Sequence, residues 1–315
     1  MDVSKDNGVT GARTAVVANP AAANGRVAKH LDRLSGALRT VLGDYELVQT
    51  ERPGHATELT RALLKDGFAR VVSVGGDGTH NEVLNGFLSG KQPVNPDAHM
   101  ALLTYGTGGD LSRTLRQPRG PRALERLAHA EPMLVDVGCV THGVNGGGEA
   151  VRYFINVADF GAGGQVVKRV NDTSKFFGGF LSFFYAVVST LMTYKNPVVR
   201  LDIDDMTVEG PINNVIVANG QYYGGGMHVA PEARLDSGRF EVYVIGDIGR
   251  FEAIVNLPKL YRGHLLKRAD KISYYLARRV VARSNAEVLL NLDGEQPGQL
   301  PAAFEILPKA VSLLV

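Results

Sequence analysis

In the first half of the chain, short apolar runs rich in β-branched residues alternate with segments of helical hydrophobic periodicity. Parallel strands need long crossover connections, which helices usually provide, so this alternation predicts a parallel sheet covered by helices on both faces. The predicted strands are 14–18, 45–50, 70–74 and 100–104, and the predicted helices are 27–42, 57–65, 79–88 and 121–129. Thr57 has the residue type of an N-cap for the second helix.

After about residue 137 the apolar runs follow one another mostly without helices, which favours antiparallel strands. The predicted strands are 152–158, 198–203, 213–218, 239–245, 280–282 and 287–292, with helices near 163–170, 176–194 and 250–261 and extended segments at 304–306 and 310–315. At 315 residues the chain suits two domains. We predict an α/β N-terminal domain with a doubly wound parallel sheet, 1–137, which the closing strand 308–315 can complete. The predicted second domain, 138–307, is a mainly antiparallel β-sandwich with a few helices.

The composition bounds the compartment and the partners. Cys139 is the single cysteine, so no intramolecular disulfide and no cysteine-based zinc site can form, which favours a reducing compartment. Residues 1–13 lack the apolar core of a signal peptide, so we expect a cytoplasmic location. The net charge of +2 and the lack of a basic block interleaved with aromatics argue against nucleic acid as a partner. A weak attraction to anionic lipid surfaces stays open.

Residues 176–194 form an apolar stretch without a charge. A spanning helix needs about 20 predominantly apolar residues, whereas this stretch contains several glycines, serines and threonines. The pattern therefore predicts a helix that is either buried or docked on a surface, and not one that crosses a membrane. Pro197 marks its end.

A glycine-rich turn follows the third predicted strand, where Gly75-Gly76-Asp77-Gly78-Thr79 opens into a helix. Glycines let backbone N–H groups approach a polyphosphate, and a helix N-terminus adds partial positive charge. Asp77 would repel phosphate unless a divalent cation lay between them, so its presence indicates a Mg²⁺-nucleotide. The alternative is an ordinary glycine-rich turn between a strand and a helix.

Two other loops leave predicted strands in the same way: 19–25 follows the first strand and 106–110 follows the fourth. The carboxyl ends of strands in an open parallel sheet line one crevice, where ligands bind. We therefore expect one nucleotide to touch all three loops.

These motifs resemble the diacylglycerol kinase catalytic domain family, which includes bacterial lipid kinases, sphingosine kinases and ceramide kinases. The segment 75–86 is similar to the family's signature, Asn19-Pro20 resembles its first nucleotide-binding motif, and the similarity runs nearly end to end. The resemblance implies that ATP is the phosphoryl donor. The residues that it implies for nucleotide binding are Asn19, Pro20, Ala21, Ala22, Ala23, Thr50, Gly75, Gly76, Asp77, Gly78, Thr79, Glu82, Gly106 and Thr107.

Two later motifs extend the resemblance to the chemistry. Asp136 matches an aspartate that the family links through water to the active-site magnesium, so Asp77 and Asp136 are the implied holders of catalytic Mg²⁺. Asp293-Gly294-Glu295 matches a motif that the family places in the second domain, facing the nucleotide. Asp293 would take the proton of the acceptor hydroxyl, and Glu295 would support it or share that role. The alternative for 293–295 is a solvated hairpin turn, and the proposal requires these carboxylates to face the glycine turn.

The sequence departs from the family pattern at two positions. Gly109 stands where the family usually has asparagine, so a neighbouring group or water must replace one side-chain contact. Ser237 replaces an aspartate that ligates a structural magnesium in the bacterial enzymes, which puts that second metal in doubt. Its remaining implied ligands are the carbonyls of Arg234 and Arg239, with Asp236 as a substitute.

The predicted function is Mg²⁺-dependent transfer of the ATP γ-phosphoryl group to the hydroxyl of diacylglycerol, giving phosphatidic acid. Ceramide or another sphingoid lipid is the alternative acceptor. The expected partners are ATP and a membrane-derived lipid, with peripheral contact at the inner face of the membrane. A homodimer is left open. The apolar candidates for membrane or lipid contact are Phe176, Phe177, Phe180, Leu181, Phe183 and Phe184.

Other classes fit the motifs less well. In NAD kinases the Asn-Glu pair lies much further along the chain, whereas Asn81-Glu82 follow Thr79 almost directly here. A dinucleotide-dependent oxidoreductase would need its glycine fingerprint at the first strand, where this chain has Asn19-Pro20. A non-catalytic lipid-binding protein is the rival from a different class, and the two departures above favour it.

Overall fold

A computed structural model of the chain describes residues 13–106, 108–144, 147–173, 179–263 and 271–315. The chain divides into two compact units, one formed by Met1–Val135 with Lys309–Val315 and the other by Asp136–Pro308.

The first unit is an α/β layer structure. Its elements are β1 (Thr14–Ala18), α1 (Ala22–Leu42), β2 (Glu46–Gln49), α2 (His55–Lys65), β3 (Arg70–Gly75), α3 (Asp77–Phe87), β4 (Leu88–Ser89), β5 (Gln92–Pro93), β6 (His99–Thr104), α4 (Asp110–Thr114) and α5 (Arg122–Leu127). The strands β2, β1, β3 and β6 lie side by side in parallel, and the end of the last strand, β19 (Gln299–Leu314), pairs with β6. The parallel sheet that the alternating pattern predicted is therefore confirmed.

Burial explains why these strands read as continuous apolar runs. All five residues of β1 are buried, as are the last five residues of β3 and β6. A strand that is covered on both faces cannot alternate apolar with polar side chains. The chain passes from β1 outward to β2 and then returns to β3 on the other side of β1, so the strand order reverses between β1 and β3. In open sheets this reversal opens a crevice at the carboxyl ends of the strands.

The second unit is mainly antiparallel. Its elements are β7 (Pro132–Gly143), β8 (Glu149–Phe154), β9 (Val157–Gly161), α6 (Ala162–Thr173), α7 (Gly179–Thr193), β10 (Val198–Ile203), β11 (Met206–Pro211), β12 (Asn214–Ala218), β13 (Tyr222–Tyr223), β14 (Met227–His228), β15 (Phe240–Ile245), α8 (Arg250–Tyr261), β16 (Ile272–Ala277), β17 (Arg279–Arg283), β18 (Leu290–Leu292) and the first part of β19. One sheet has the order β16, β15, β12, β9, β18, and β11, β10, β17 and β19 are neighbours in another.

Side chains from both sheets of this unit form one core. Phe160 stacks on Phe304 with ring centroids 5.5 Å apart, and Phe154 stacks on Phe240 at 5.6 Å. This packing confirms the predicted antiparallel sandwich. The other face of the five-stranded sheet is covered by α6, α7 and α8.

Several predicted boundaries were wrong. The predicted strand 152–158 is two strands, because the backbone N–H groups of Ile155 and Asn156 donate to the carboxylate of Asp293. The predicted segment 304–306 and all of 310–315 except Val315 belong to one long strand, β19. The exposed strand β11 and the strand β16 were missed, and only 290–292 of the predicted strand 287–292 is a strand.

The start of α2 also differs from the prediction. Gly54 is its N-cap, and Thr57 lies inside the helix, where its hydroxyl donates to the carbonyl of Glu82 at 2.8 Å.

In the described ranges, no helix combines the length and the apolar character that a membrane crossing requires. The described part of α7 has a buried side formed by Ala186, Val187 and Thr190, and it exposes Phe184 and Tyr185. Phe176 and Phe177 lie outside the described residues, as do the side chains of Phe180, Leu181 and Phe183.

Candidate functional site

The glycine turn between β3 and α3 is built by close backbone approach. An ideal Cβ at Gly75 would lie 2.4 Å from Oγ1 of Thr79, and one at Gly106 would lie 2.7 Å from Cα of Gly76. Both distances are too short for a side chain, so only glycine fits. Gly76 is the N-cap of α3 and has extended backbone, which leaves the N-terminal N–H groups of α3 as the donors for an anion.

The first loop is bonded to this turn across the β1–β3 reversal. The side chain of Asn19 donates from Nδ2 to Oγ1 of Thr79 at 3.0 Å, and its Oδ1 accepts the N–H of Ala21 at 3.0 Å. The backbone N–H of Asn19 donates to the carbonyl of Val74 at 2.9 Å. Asn19 therefore fixes the predicted nucleotide loop against the predicted phosphate turn.

The rest of the first loop has unusual backbone. Ala23, Asn24 and Gly25 have φ of 55°, 58° and 78°, so the regular part of α1 follows them. Two consecutive non-glycine residues in the left-handed region are uncommon, and such strain gathers at ligand-binding segments. Thr50 directly follows β2, and its N–H donates to the carbonyl of Ala18 at 2.9 Å.

Asp77 has a structural role that sequence reasoning missed. Its Oδ2 accepts the N–H groups of Gly109 at 2.6 Å and Asp110 at 3.3 Å, and its Oδ1 accepts that of Leu111 at 3.4 Å. The carboxylate therefore caps the start of α4 and fixes the loop 106–110 against the glycine turn 75–79. Its predicted contact with Mg²⁺ stays a prediction.

Glu82 also acts on a helix start. Its Oε1 accepts the N–H of Gly54 at 2.8 Å and its Oε2 accepts that of Ala56 at 3.1 Å, so the carboxylate caps α2. The sequence signal was Glu82, about one turn into α3, together with Gly54 at the start of α2, because glycine has no side chain to cap that helix. Its predicted contact with the nucleotide stays a prediction.

Arginines border the third glycine loop where the family pattern has asparagine. Gly109 has φ of 67°, and an ideal Cβ there would lie 2.7 Å from Cδ of Arg119. The guanidinium of Arg119 donates to the carbonyl of Gly108 at 3.2 Å, and that of Arg113 donates to the same carbonyl at 2.5 Å. The side chain of Arg119 thus takes the space that a larger residue at 109 would need. Thr107 lies outside the described residues.

In the second unit, the residues 292–295 form a tight hairpin. Asp293 and Gly294 have φ of 49° and 95°, and Leu292 and Glu295 exchange N–H to carbonyl bonds of 2.8 and 2.9 Å. Asp-Gly is the dipeptide that such a turn favours. The hairpin reading of the sequence is therefore right for the backbone.

The Asp293 side chain does more than end a turn. Its carboxylate accepts the N–H groups of Ile155 at 2.9 Å, Asn156 at 3.0 Å and Val157 at 2.9 Å. These bonds hold the hairpin against the break between β8 and β9. The catalytic roles of Asp293 and Glu295 stay predictions.

Asp136 lies in the second unit and is buried. Its Oδ2 accepts the N–H of Gly238 at 2.5 Å, and its own N–H donates to the carbonyl of Leu235 at 2.6 Å. Its carbonyl accepts the side-chain amide of Asn219 at 2.9 Å. Asp136 is therefore bonded to the loop that was the candidate for structural magnesium.

Comparisons with known proteins agree with this architecture. Residues 13–140 match the diacylglycerol kinase catalytic domain, and residues 156–315 match the YegS C-terminal NAD kinase beta sandwich-like domain. The chain belongs to the diacylglycerol kinase catalytic-domain family. The resemblance seen in the motifs is thereby confirmed, and this family member is an ATP-dependent lipid kinase.

Relatives of this kinase come from several bacteria. A diacylglycerol kinase of Staphylococcus carnosus is 29% identical over 259 residues, which is 81% of this chain and 79% of the relative. A diacylglycerol kinase of Bacillus subtilis is 26% identical over 305 residues, 96% of each chain. The crystal structure of a diacylglycerol kinase from Bacillus anthracis superimposes with a TM-score of 0.71 at 22% identity and covers 96% of each chain. The last comparison bears on the fold alone.

In the loop 234–239 of this kinase, each ligand that the family pattern implies for a structural magnesium is hydrogen-bonded within the loop. The hydroxyl of Ser237 donates to the carbonyl of Arg239 at 2.8 Å, and Asp236 accepts two bonds of 3.0 Å from the guanidinium of Arg234. The N–H of Ser237 donates to the carbonyl of Arg234 at 3.3 Å. All three implied ligands are thus engaged inside the loop. Across the described ranges, no group of three or more His, Cys, Asp and Glu is placed to hold a metal ion.

We expect this loop to be independent of magnesium. The thermal midpoint of the wild type, without nucleotide, should be the same in EDTA and in excess Mg²⁺. Ser237→Ala should cost about 1 kcal/mol through one lost hydrogen bond, equally in both conditions. Ser237→Asp should be destabilised in EDTA and regain stability in Mg²⁺, since its carboxylate cannot donate to a carbonyl but can bind the ion. A drop of the wild-type midpoint in EDTA would contradict this account.

His80 ties β3 to β6 beneath the glycine turn. Its Nδ1 is 2.8 Å from Oγ of Ser73, its Nε2 is 2.9 Å from Oγ1 of Thr104, and Thr104 is 2.7 Å from Ser112. Burial lowers the pKa of His80 to about 4, against the opposing effect of the Asp77 charge. A neutral, fully bonded imidazole fits a packing role for His80.

Acid should therefore weaken the first unit through His80. The pKa is about 4 in the folded protein and 6.5 for an ordinary histidine, so the unfolded chain binds the proton first as the pH falls. The stability is intact above pH 6.5 and declines toward pH 4, by about 3 kcal/mol in total. Urea unfolding at several pH values should show the wild type losing this much relative to His80→Gln. Parallel curves for the two proteins would refute the assignment.

Proposed function

We propose that this protein phosphorylates diacylglycerol with Mg²⁺-ATP and releases phosphatidic acid and ADP. The observation that carries the proposal is the bond between Asn19 and Thr79, which joins the first loop to the glycine turn at the β1–β3 reversal. Such a position suits the polyphosphate of a nucleotide. The names of the Staphylococcus and Bacillus relatives support diacylglycerol as the acceptor.

The chain's own residues would supply positioning and charge. The N–H groups at the start of α3 would hold the phosphates, and Arg113 and Arg119 lie beside the third glycine loop to offset the charge of the γ-phosphoryl group. Asp77 and Asp136 are the proposed holders of Mg²⁺, through water, and the ion would neutralise charge on the phosphates.

The reaction is a simple displacement at phosphorus. A bond forms between the acceptor oxygen and the γ-phosphorus, while the bond from that phosphorus to the β–γ bridging oxygen breaks and ADP leaves. The acceptor's proton goes to a carboxylate of the 293–295 hairpin. Asp293 is the proposed base, and Glu295, which is exposed on the same turn, supports it or shares the role.

The acceptor can be tested directly. Radiolabelled ATP is offered with diacylglycerol, monoacylglycerol, ceramide, sphingosine and phosphatidylglycerol in mixed micelles. We expect diacylglycerol to give the highest kcat/KM, with no transfer when Mg²⁺ is absent. If ceramide were the preferred substrate, the protein would be a sphingoid-lipid kinase. If phosphoryl transfer did not depend on any lipid, the non-catalytic lipid-binding alternative would be favoured.

A pair of variants on the hairpin serves as the catalytic control. Asp293→Asn should lower kcat by about 10²- to 10⁴-fold, and it should also lower the thermal midpoint because one of the three N–H bonds loses its acceptor. Glu295→Gln leaves those three bonds intact, so its effect on kcat reports chemistry with the fold preserved. Near-wild-type turnover of folded Asp293→Asn would remove Asp293 from the reaction.

We also propose peripheral contact with an anionic bilayer through α8. Phe251 and Val255 are 77% and 69% exposed and lie one helical turn apart, so they share a face of the helix. Pro258 and Arg262 continue that face and are exposed. The nearby Glu252 is paired with Lys271 at 2.8 Å, which leaves the stripe apolar and basic. Anionic lipid is the surface that such a stripe fits.

Vesicle sedimentation tests this contact. The double variant Phe251→Ser with Val255→Ser should bind phosphatidylcholine–phosphatidylglycerol vesicles at least tenfold more weakly, because two apolar side chains no longer enter the bilayer. Binding should fall in high salt and on pure phosphatidylcholine. Val198→Ser, at an exposed apolar residue of β10, is the matched control. Equal vesicle binding by all three proteins would exclude α8 as the docking face.

A further inference from the structure

A row of polar side chains interrupts the apolar face of the five-stranded sheet that α6, α7 and α8 cover. Asp159 on β9 lies opposite Asn291 on β18 and beside the strand that carries Asn214. Their neighbours on this face are apolar, among them Val157 and Ile216, and Asp159 is fully buried. Burying a carboxyl group among apolar side chains destabilises the fold, because the group loses its hydration, so its presence needs an explanation.

One oxygen of Asp159 is linked through Asn291 to the hairpin 292–295. Asn291 donates from Nδ2 to Oδ2 of Asp159 at 2.7 Å, and its Oδ1 accepts the N–H of Gly294 at 2.9 Å. A direct chain of hydrogen bonds thus runs from Asp159 to the hairpin that carries Asp293 and Glu295. Whatever binds Asp159 is therefore two hydrogen bonds from that hairpin.

The other oxygen of Asp159 has no hydrogen-bond partner within the described ranges, and two hydroxyl groups share this condition. They are Oγ1 of Thr190 and Oη of Tyr194, and all three atoms are buried. The two residues are one turn apart, with the N–H of Tyr194 donating to the carbonyl of Thr190 at 2.7 Å. Buried polar atoms almost always have hydrogen-bond partners. Three buried atoms without a partner, which we call bare atoms, therefore indicate a site for a polar group.

The helix that carries the two hydroxyls packs on the face of the sheet that carries Asp159, because Ala186 and Val187 of α7 share one core with Val157 and Ile216. Burial raises the pKa of Asp159 to about 7, and burial together with the Asp159 charge raises the pKa of Tyr194 to about 12. Gly163 at the start of α6 completes the site, because an ideal Cβ there would lie 2.0 Å from the bare oxygen of Asp159. Only glycine lets the start of α6 pack this closely against the carboxyl group.

The chemistry of the three atoms selects the ligand. One carboxyl oxygen accepts, and two hydroxyls can donate or accept, which suits an uncharged group that carries hydroxyl and carbonyl oxygens. The Asp159 charge disfavours a phosphate. The surrounding side chains of the described residues are apolar and buried, so the three atoms lie in an environment without other polar partners there: Val157, Val166, Ala186, Val187 and Ile216.

We infer that Asp159, Thr190 and Tyr194 form the subsite for the glycerol-ester headgroup of the neutral lipid acceptor. The inference rests on the proposed function and deepens it. The headgroup satisfies the bare atoms, and the Asn291 bridge fixes the reacting hairpin relative to it.

The test uses substitutions that delete a bare hydroxyl. Thr190→Val and Tyr194→Phe remove buried polar atoms without partners, so each should keep or raise the thermal midpoint of the lipid-free protein. Each should also raise KM for dioctanoylglycerol by about fivefold or more, through one lost hydrogen bond, with KM for ATP unchanged. Tyr243→Phe is the matched control. Its hydroxyl donates to Glu241 at 2.6 Å, so it should lower the midpoint and leave the lipid KM unchanged.

A second readout separates this inference from the proposed function. Without ATP, dioctanoylglycerol should raise the midpoint of the wild type and raise that of Tyr194→Phe less. Lipid binding of this kind without phosphorylation would keep the subsite and refute the kinase assignment. Phosphorylation with wild-type lipid KM in both variants would keep the kinase and refute the subsite, leaving an internal water as the occupant of the bare atoms.

Discussion

The bond between a carboxylate and backbone N–H groups is the interaction on which the candidate functional residues of each unit depend. Asp77 holds the start of α4, and Glu82 holds the start of α2. Asp293 holds the break between β8 and β9, and Asp136 holds the loop at Gly238. Each loop has N–H groups that strand and helix ladders leave unpaired. A carboxylate is the strongest acceptor available for them.

This constraint explains why the motifs contain acids next to glycines. A glycine-rich loop brings backbone groups close together, as Gly76 and Gly106 do, and then has no side chains of its own to fix it. An acid from the neighbouring loop supplies the missing connection: Asp77 of the second loop fixes Gly109 of the third. The same residues that define the family signature are therefore needed to shape the loops before any nucleotide arrives.

The sequence predicted the layers well, because buried parallel strands must be apolar and their crossovers amphipathic. It located β1 at 14–18 correctly and α8 at 250–261 correctly. It failed where a distant side chain decides the backbone. The break in 152–158 is set by Asp293, and the start of α2 is set by Glu82, so neither lies in the local pattern. The exposed strand β11 carries little apolar periodicity and gave no signal.

The same reasoning separates what the candidate site shares with its family from what is particular to this chain. Gly109 and Ser237 each lack a side-chain contact that the family pattern has, yet in each case a different local contact replaces it. The side chain of Arg119 occupies the space over Gly109, and the hydroxyl of Ser237 closes on the Arg239 carbonyl. Asp159 is the opposite case, since Asn291 bonds only one of its carboxyl oxygens and the other is buried without a hydrogen-bond partner in the described ranges, which lowers stability. A fold keeps such a group only where something else gains from it, and a bound polar ligand is the gain that its surroundings allow.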